Sequence, residues 1–140
     1  MTYVRIEQLL THLIETTGNT LSFVKDETER FRLSVPPSSE IIVVDAEADL
    51  FLFSRITPIP PHDNREALLI HLMKANLLGQ GTGGAVLGID REDKHFTLSL
   101  TLPSTIDHTT FKEAVEEFAN YISYWKDEID GFVARGLANR

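Results

Sequence analysis

Five glycines stand within ten residues, at positions 79, 81, 83, 84 and 88. Three of them, Gly79-x-Gly81-x-x-Gly84, reproduce the G-x-G-x-x-G spacing of a dinucleotide-binding turn. That chemistry needs a strand before the glycines and a helix after them, so that phosphate sits on a helix N-terminus. Here the order is reversed. An apolar helical segment precedes the glycines, and the alternating stretch Ala85-Val86-Leu87-Gly88-Ile89 comes after them. The chain also lacks the Gly-Lys-Ser/Thr ending of a P-loop. The segment is therefore predicted to be a helix-to-strand connection whose glycines serve backbone geometry.

The other groups that could do chemistry do not assemble into a recognisable site. The histidines His12, His62, His71, His95 and His108 include no pair at the i, i+4 spacing of a zinc helix. His71 lies in the apolar helix, and the other four read as surface or strand-edge residues. There is no cysteine, which excludes disulfides, thiolate metal sites and a thiol nucleophile. No G-x-S-x-G elbow occurs. Asp45, Glu47 and Asp49 cluster in a loop that lacks the pattern of a calcium site. Glu116-Glu117 falls on the polar side of a helix. Catalysis, a cofactor and a bound metal are not expected.

Composition narrows the class further. Apolar residues are 42% and charged residues 24%, a balance that supports a buried core in one domain. Lys and Arg number 13 against 21 Asp and Glu, a net charge of −8. The basic residues are scattered, so no face is expected to hold nucleic acid. No apolar run approaches a membrane span, and the N-terminus lacks the pattern of a cleaved signal peptide. A cytoplasmic protein is expected.

The elements that position these groups can be read from periodicity. A helix from about Val4 to Thr17 carries Ile6, Leu9, Leu10, Leu13 and Ile14 on one stripe, with Gly18 as the stop. Strands come next at Thr20–Val24, Arg30–Val35, Glu40–Val44 and Leu50–Ile56, the last two flanking the acidic loop 45–49. These last two strands are apolar on both faces, so each face needs a cover. A second helix opens at Asp63, with Glu66 completing a capping pattern. It places Leu68, Leu72 and Ala75 on one face and Ile70, Met73 and Leu77 on another. A helix apolar all round is buried all round, which calls for either a second subunit against the second face or a wholly internal helix, with the subunit favoured. A hairpin at 85–102 succeeds it. A last helix capped near Asp107 carries Phe111, Val115, Phe118, Ile122, Trp125 and Ile129 on one stripe. Gly131 and Gly136 predict a flexible tail over 131–140, beyond a single domain of 1–130. The order α-β-β-β-β-α-β-β-α makes an α+β domain, an antiparallel sheet packed with helices.

The stretch Asn76-Leu-Leu-Gly-Gln-Gly-Thr-Gly-Gly-Ala-Val-Leu-Gly-Ile-Asp90 closely resembles the signature segment of class I type III secretion chaperones, the Tir-chaperone (CesT-like) family. The resemblance continues through Leu98–Pro103 and Phe111–Trp125 and covers roughly residues 3 to 127. It implies a homodimer in the bacterial cytoplasm that binds the N-terminal segment of a secreted effector. That segment would stay soluble, partly extended and competent for export. It implies no ATPase activity, and it leaves open whether the chain also docks on the export ATPase. On this footing Ile70, Met73, Leu77 and Val86 are the expected dimer residues. Leu9, Leu13, Phe31, Leu33, Phe51 and Phe53 are the expected effector-binding residues. The alternatives are an adaptor or regulator of the same fold and, more remotely, an enzyme using a nucleotide at the glycines.

Overall fold

The computed structural model describes residues 2–27, 30–36, 39–60 and 65–138, with side chains described from 5 to 135 within those ranges. Helix α1 spans Thr2–Thr16 and is succeeded by strands β1 (Ser22–Lys25), β2 (Phe31–Val35), β3 (Ser39–Ala46) and β4 (Asp49–Pro58). Helix α2 (Arg65–Ala75) leads through a 3-10 turn, Leu77–Gly79, to β5 (Val86–Ile89) and β6 (His95–Pro103). Helix α3 (His108–Ala138) closes the chain. The strands form one antiparallel sheet in the order β1-β2-β3-β4-β6-β5. No helix among the described residues is long and apolar enough to cross a membrane.

The β3–β4 hairpin is tighter than predicted. Ala46 pairs with Asp49, and Glu47 takes a left-handed conformation in the two-residue loop. The Asp45 carboxylate accepts from the Glu47 N–H, so this acidic cluster is occupied with its own turn. Asp63 of the capping pattern lies outside the described residues, whereas Asp107 caps α3 as expected. It accepts from the Thr110 N–H at 2.7 Å, and that bond holds its carboxyl below the usual carboxylate range.

The helices cover one face of the sheet. On it Phe31, Leu33, Ile41, Val43, Leu50, Leu52 and Leu98 join Ile6, Leu9, Leu10 and Leu13 of α1 and the entire stripe of α3 in a single core. That stripe, Phe111 to Ile129, is buried throughout. It also carries α3 past its predicted end. Gly131 and Gly136 lie inside the helix, because Ile129, Phe132 and Val133 continue the apolar contact and outweigh the roughly 1 kcal/mol cost of a helical glycine.

No helix among the described residues covers the opposite face. The register sets Val24, Arg32, Ile42, Phe53, Ser99 and Val86 side by side across all six strands, with Val44, Phe51 and Thr101 in the adjacent row. The ambiguity of the doubly apolar hairpin resolves here: Ile41, Val43, Leu50 and Leu52 face the core, and Ile42, Val44, Phe51 and Phe53 face outward.

Candidate functional site

The glycine segment is a knot of backbone. Gly79 sits at φ +69, and a Cβ there would lie 2.9 Å from the Cα of Gly84. A Cβ on Gly83, at φ +64, would lie 2.5 Å from the Tyr121 ring. The N–H groups of Gly79, Gln80, Gly81, Thr82, Gly84 and Ala85 all donate to carbonyls within residues 75–82, so they do not converge on a ligand. The Trp125 indole donates to the Gly81 carbonyl at 3.0 Å and ties the knot to α3. The glycines run into β5, as the sequence predicts, and the segment is a helix-to-strand connection.

Asn76 then performs a task the sequence did not advertise. Its amide donates to the Leu87 carbonyl at 2.9 Å, and its side-chain oxygen accepts from the Leu87 N–H at 2.8 Å. A strand residue that offers both backbone groups away from its neighbour is the point where another strand would pair. Asn76 occupies that point on β5. The edge at β1, Ser22–Lys25, lies at the other end of the sheet, and Val24 on it is 62% exposed.

The turn after β5 is held by Asp90. Its carboxylate accepts from the Lys94 and His95 N–H groups, lies 3.0 Å from His95 Nδ1 and stands 3.5 Å from Arg55 Nε. Burial pushes this carboxyl's pKa up, but the two backbone donors and the His95 side chain outweigh it and bring it to about 2. A depressed carboxylate stabilises the fold above its unfolded pKa, near 3.8, and the contribution disappears as pH falls toward 2. Asp90→Asn is accordingly expected to flatten the fall in thermal stability between about pH 4 and pH 2. Melting curves across that window check this, and a slope equal to that of the parent would reject it.

The described histidines lie apart from one another or stack without converging on a common point. His12 and His108 stack with centroids 4.3 Å apart, and His71 packs against Trp125 and Phe132 with Glu128 Oε1 at 3.1 Å. His62 lies outside the described residues. Among the described residues no three His, Asp or Glu side chains are placed to hold a metal ion.

Exposed apolar surface is what remains. The expected dimer residues Ile70, Met73, Leu77 and Val86 are 48%, 71%, 64% and 55% exposed. The first three line the outer side of α2 and its 3-10 turn, while Val86 looks out on the open sheet face beside the β5 edge. Leu78 and Ile89 enlarge this surface, and the sequence pattern does not single them out. Leu78 reads as helix interior in the apolar run but takes φ +54 beyond the end of α2. Of the expected effector-binding residues, Phe51 and Phe53 lie on the open face. Leu9, Leu13, Phe31 and Leu33 are corrected: each is at most 1% exposed, because α1 packs its stripe directly onto the β2–β3 face, and they present nothing to a partner.

Known proteins agree with this geometry. The sequence model of the Tir chaperone protein (CesT) family matches residues 8–126. The Chlamydia pneumoniae protein CPj0713/CpB0740 is 25% identical over 128 residues, covering 89% of this chain and 95% of its own. Solved structures of similar fold include the HopA1–SchA chaperone–effector complex, with TM-score 0.66 and 15% identity over 91% of this chain and 97% of that one. The ExoU–SpcU complex from the type III secretion system of Pseudomonas aeruginosa gives 0.63 and 11%, over 88% and 95%. YbjN of E. coli, described as a candidate transcription regulator, gives 0.64 and 12%, over 89% and 91%. With the family model spanning most of the domain, this chain belongs to the Tir chaperone protein (CesT) family.

Proposed function

We propose that this protein is a cytoplasmic type III secretion chaperone, without enzymatic activity, that holds the N-terminal segment of a secreted effector partly extended and export-competent. The observation that carries this reading is the sheet's outer face, which is apolar along its centre yet has no helix over it among the described residues. Apolar surface of this kind on a strongly acidic chain marks a protein-binding site. Val44, Phe51 and Phe53 offer sequence-tolerant grip, and the β1 edge offers main-chain pairing. Family membership and the chaperone–effector structures of similar fold support the same assignment.

The protein also self-associates in this reading, through the outer side of α2 and the β5 end of the sheet. The plug at Leu87 favours side-chain packing over strand pairing there.

The test is co-purification from the native bacterium, with identification of the protein that accompanies the tagged chain. A secreted effector is expected, and recovery of housekeeping chaperones alone would count against the assignment. Doubly substituted Phe51→Asp/Phe53→Asp should lose the client at least tenfold while keeping its helical signal. Burying each ring is worth about 1.5–3 kcal/mol, and neither ring supports the core. A second reading, a regulator or adaptor of the same fold, draws on the likeness to YbjN. Genes for secretion apparatus and effectors beside this one would favour the chaperone.

A further inference from the structure

The sheet comes apart at one end. Pairing of β3 with β4 stops at Ile42–Phe53, yet β3 continues back to Ser39 against β2, and β4 continues to Pro58 against β6. The cause is a bulge in β4. Arg55 faces Thr97 and Thr57 faces Phe96, so Ile56 is an extra residue. A bulge bends its strand and sharpens the local twist. The end of β4 stays with β6 and leaves β3 behind. The Ser54 hydroxyl donates to the Glu40 carbonyl at 2.8 Å, standing in for the last ladder bond at the mouth of the split.

Beyond that bridge lies a cavity of about 430 Å³ between the two strand ends and α3. Its apolar floor is Ile42, Ile56 and Ile122, and Ser123, Lys126 and Asp127 of α3 form a polar rim. The charged residues on the strand side are already engaged: Glu40 with Arg32 at 3.0 Å and Arg55 with Asp90 at 3.5 Å. Lys126 and Asp127 form no ion pair among the described residues. The cavity therefore joins three things: strand ends with one side unpaired among the described residues, an aliphatic floor, and a cation beside an anion at the rim. An extended peptide has the complementary chemistry, namely a backbone that pairs with strand and side chains that alternate between floor and rim.

We propose that this split in the sheet is a second receptor site, taking about three residues of extended peptide with an aliphatic side chain seated on Ile56 and Ile122. The proposal rests on the chaperone reading and adds an anchor point distinct from the open face and the β1 edge. The client would be held on both sides of the sheet.

The test uses the full-length chain and phage-displayed random dodecapeptides selected on it. Selected peptides are expected to shift the backbone amide resonances of Ile41, Arg55, Ile56, Ser123 and Lys126. Ser123→Trp, which plugs the cavity from an exposed helix position, should weaken them about tenfold or more. Ser123→Leu is a smaller plug should the Trp variant fold poorly. Shifts confined to the open face or the β1 edge, with binding unchanged by either plug, would overturn this site and leave the chaperone reading standing. Failure to select any peptide that binds the chain would overturn both.

Discussion

Met73→Glu is expected to turn the proposed dimer into a monomer without unfolding it. Met73 is the most exposed side chain of the apolar stripe on α2, at 71%, and lies between Ile70 and Leu77. It is not part of the buried core, so the variant should keep its fold. In a two-fold assembly the substitution enters the contact twice. Each copy loses the burial of a methionine, worth about 1.5–3 kcal/mol, and gains a carboxylate that must be desolvated without a partner. A loss on the order of 3 kcal/mol per site raises the dissociation constant by much more than a hundredfold. Sedimentation velocity or multi-angle light scattering at micromolar concentration reads this directly. The adjacent Lys74→Glu, outside the apolar stripe, is the control and should leave assembly intact. An unchanged dimer for Met73→Glu would remove the α2 interface from consideration.

Gly79→Ala is expected to cost about 2–4 kcal/mol and roughly 10 °C of melting temperature. Two effects add. A residue with a Cβ at φ +69 costs about 1–2 kcal/mol in backbone energy. The new methyl would also stand 2.9 Å from the Cα of Gly84, which is main chain and cannot rotate away. Gly84→Ala separates the two terms. Gly84 also has positive φ, +90, but no atom lies within 4 Å of its Cβ position. It should cost only the backbone term, about 1–2 kcal/mol. Equal losses for the two variants, measured by denaturant unfolding, would show that the close approach carries no weight.

Much of the architecture was legible because each element has one unambiguous stripe. The α1 residues Ile6, Leu9, Leu10 and Leu13 and the α3 residues Phe111 to Ile129 repeat at helical spacing, and all of them are buried. Phe31, Leu33 and Val35 alternate on β2, and the pattern fixes its inner face. The division of α2 into a Leu68–Leu72 side and an Ile70–Met73–Leu77 side was equally readable. Only the first of these two sides is buried in the single chain.

The functional surfaces were less legible, for reasons that lie in three-dimensional contact. Leu9, Leu13, Phe31 and Leu33 have the residue types of a client groove and of a core alike, and hydrophobicity does not distinguish them. The end of α3 lies beyond its predicted limit because two glycines weaken local helix propensity, while the packing of Phe132 against His71 and of Ile129 into the core acts from a distance in sequence. Asn76 gave no signal at all, since an asparagine after a helix is an ordinary cap, and its partner Leu87 is eleven residues away.

By itself, then, the sequence determined the order of elements, the inner stripe of each helix and the helix-to-strand setting of the glycines, since these depend on local spacing and on the elements flanking the segment. Only the tertiary structure decided which face of the β3–β4 hairpin is core, which sheet edge is plugged and where the sheet splits. Alternation makes both faces of an apolar hairpin equivalent until helices from remote parts of the chain settle on one of them.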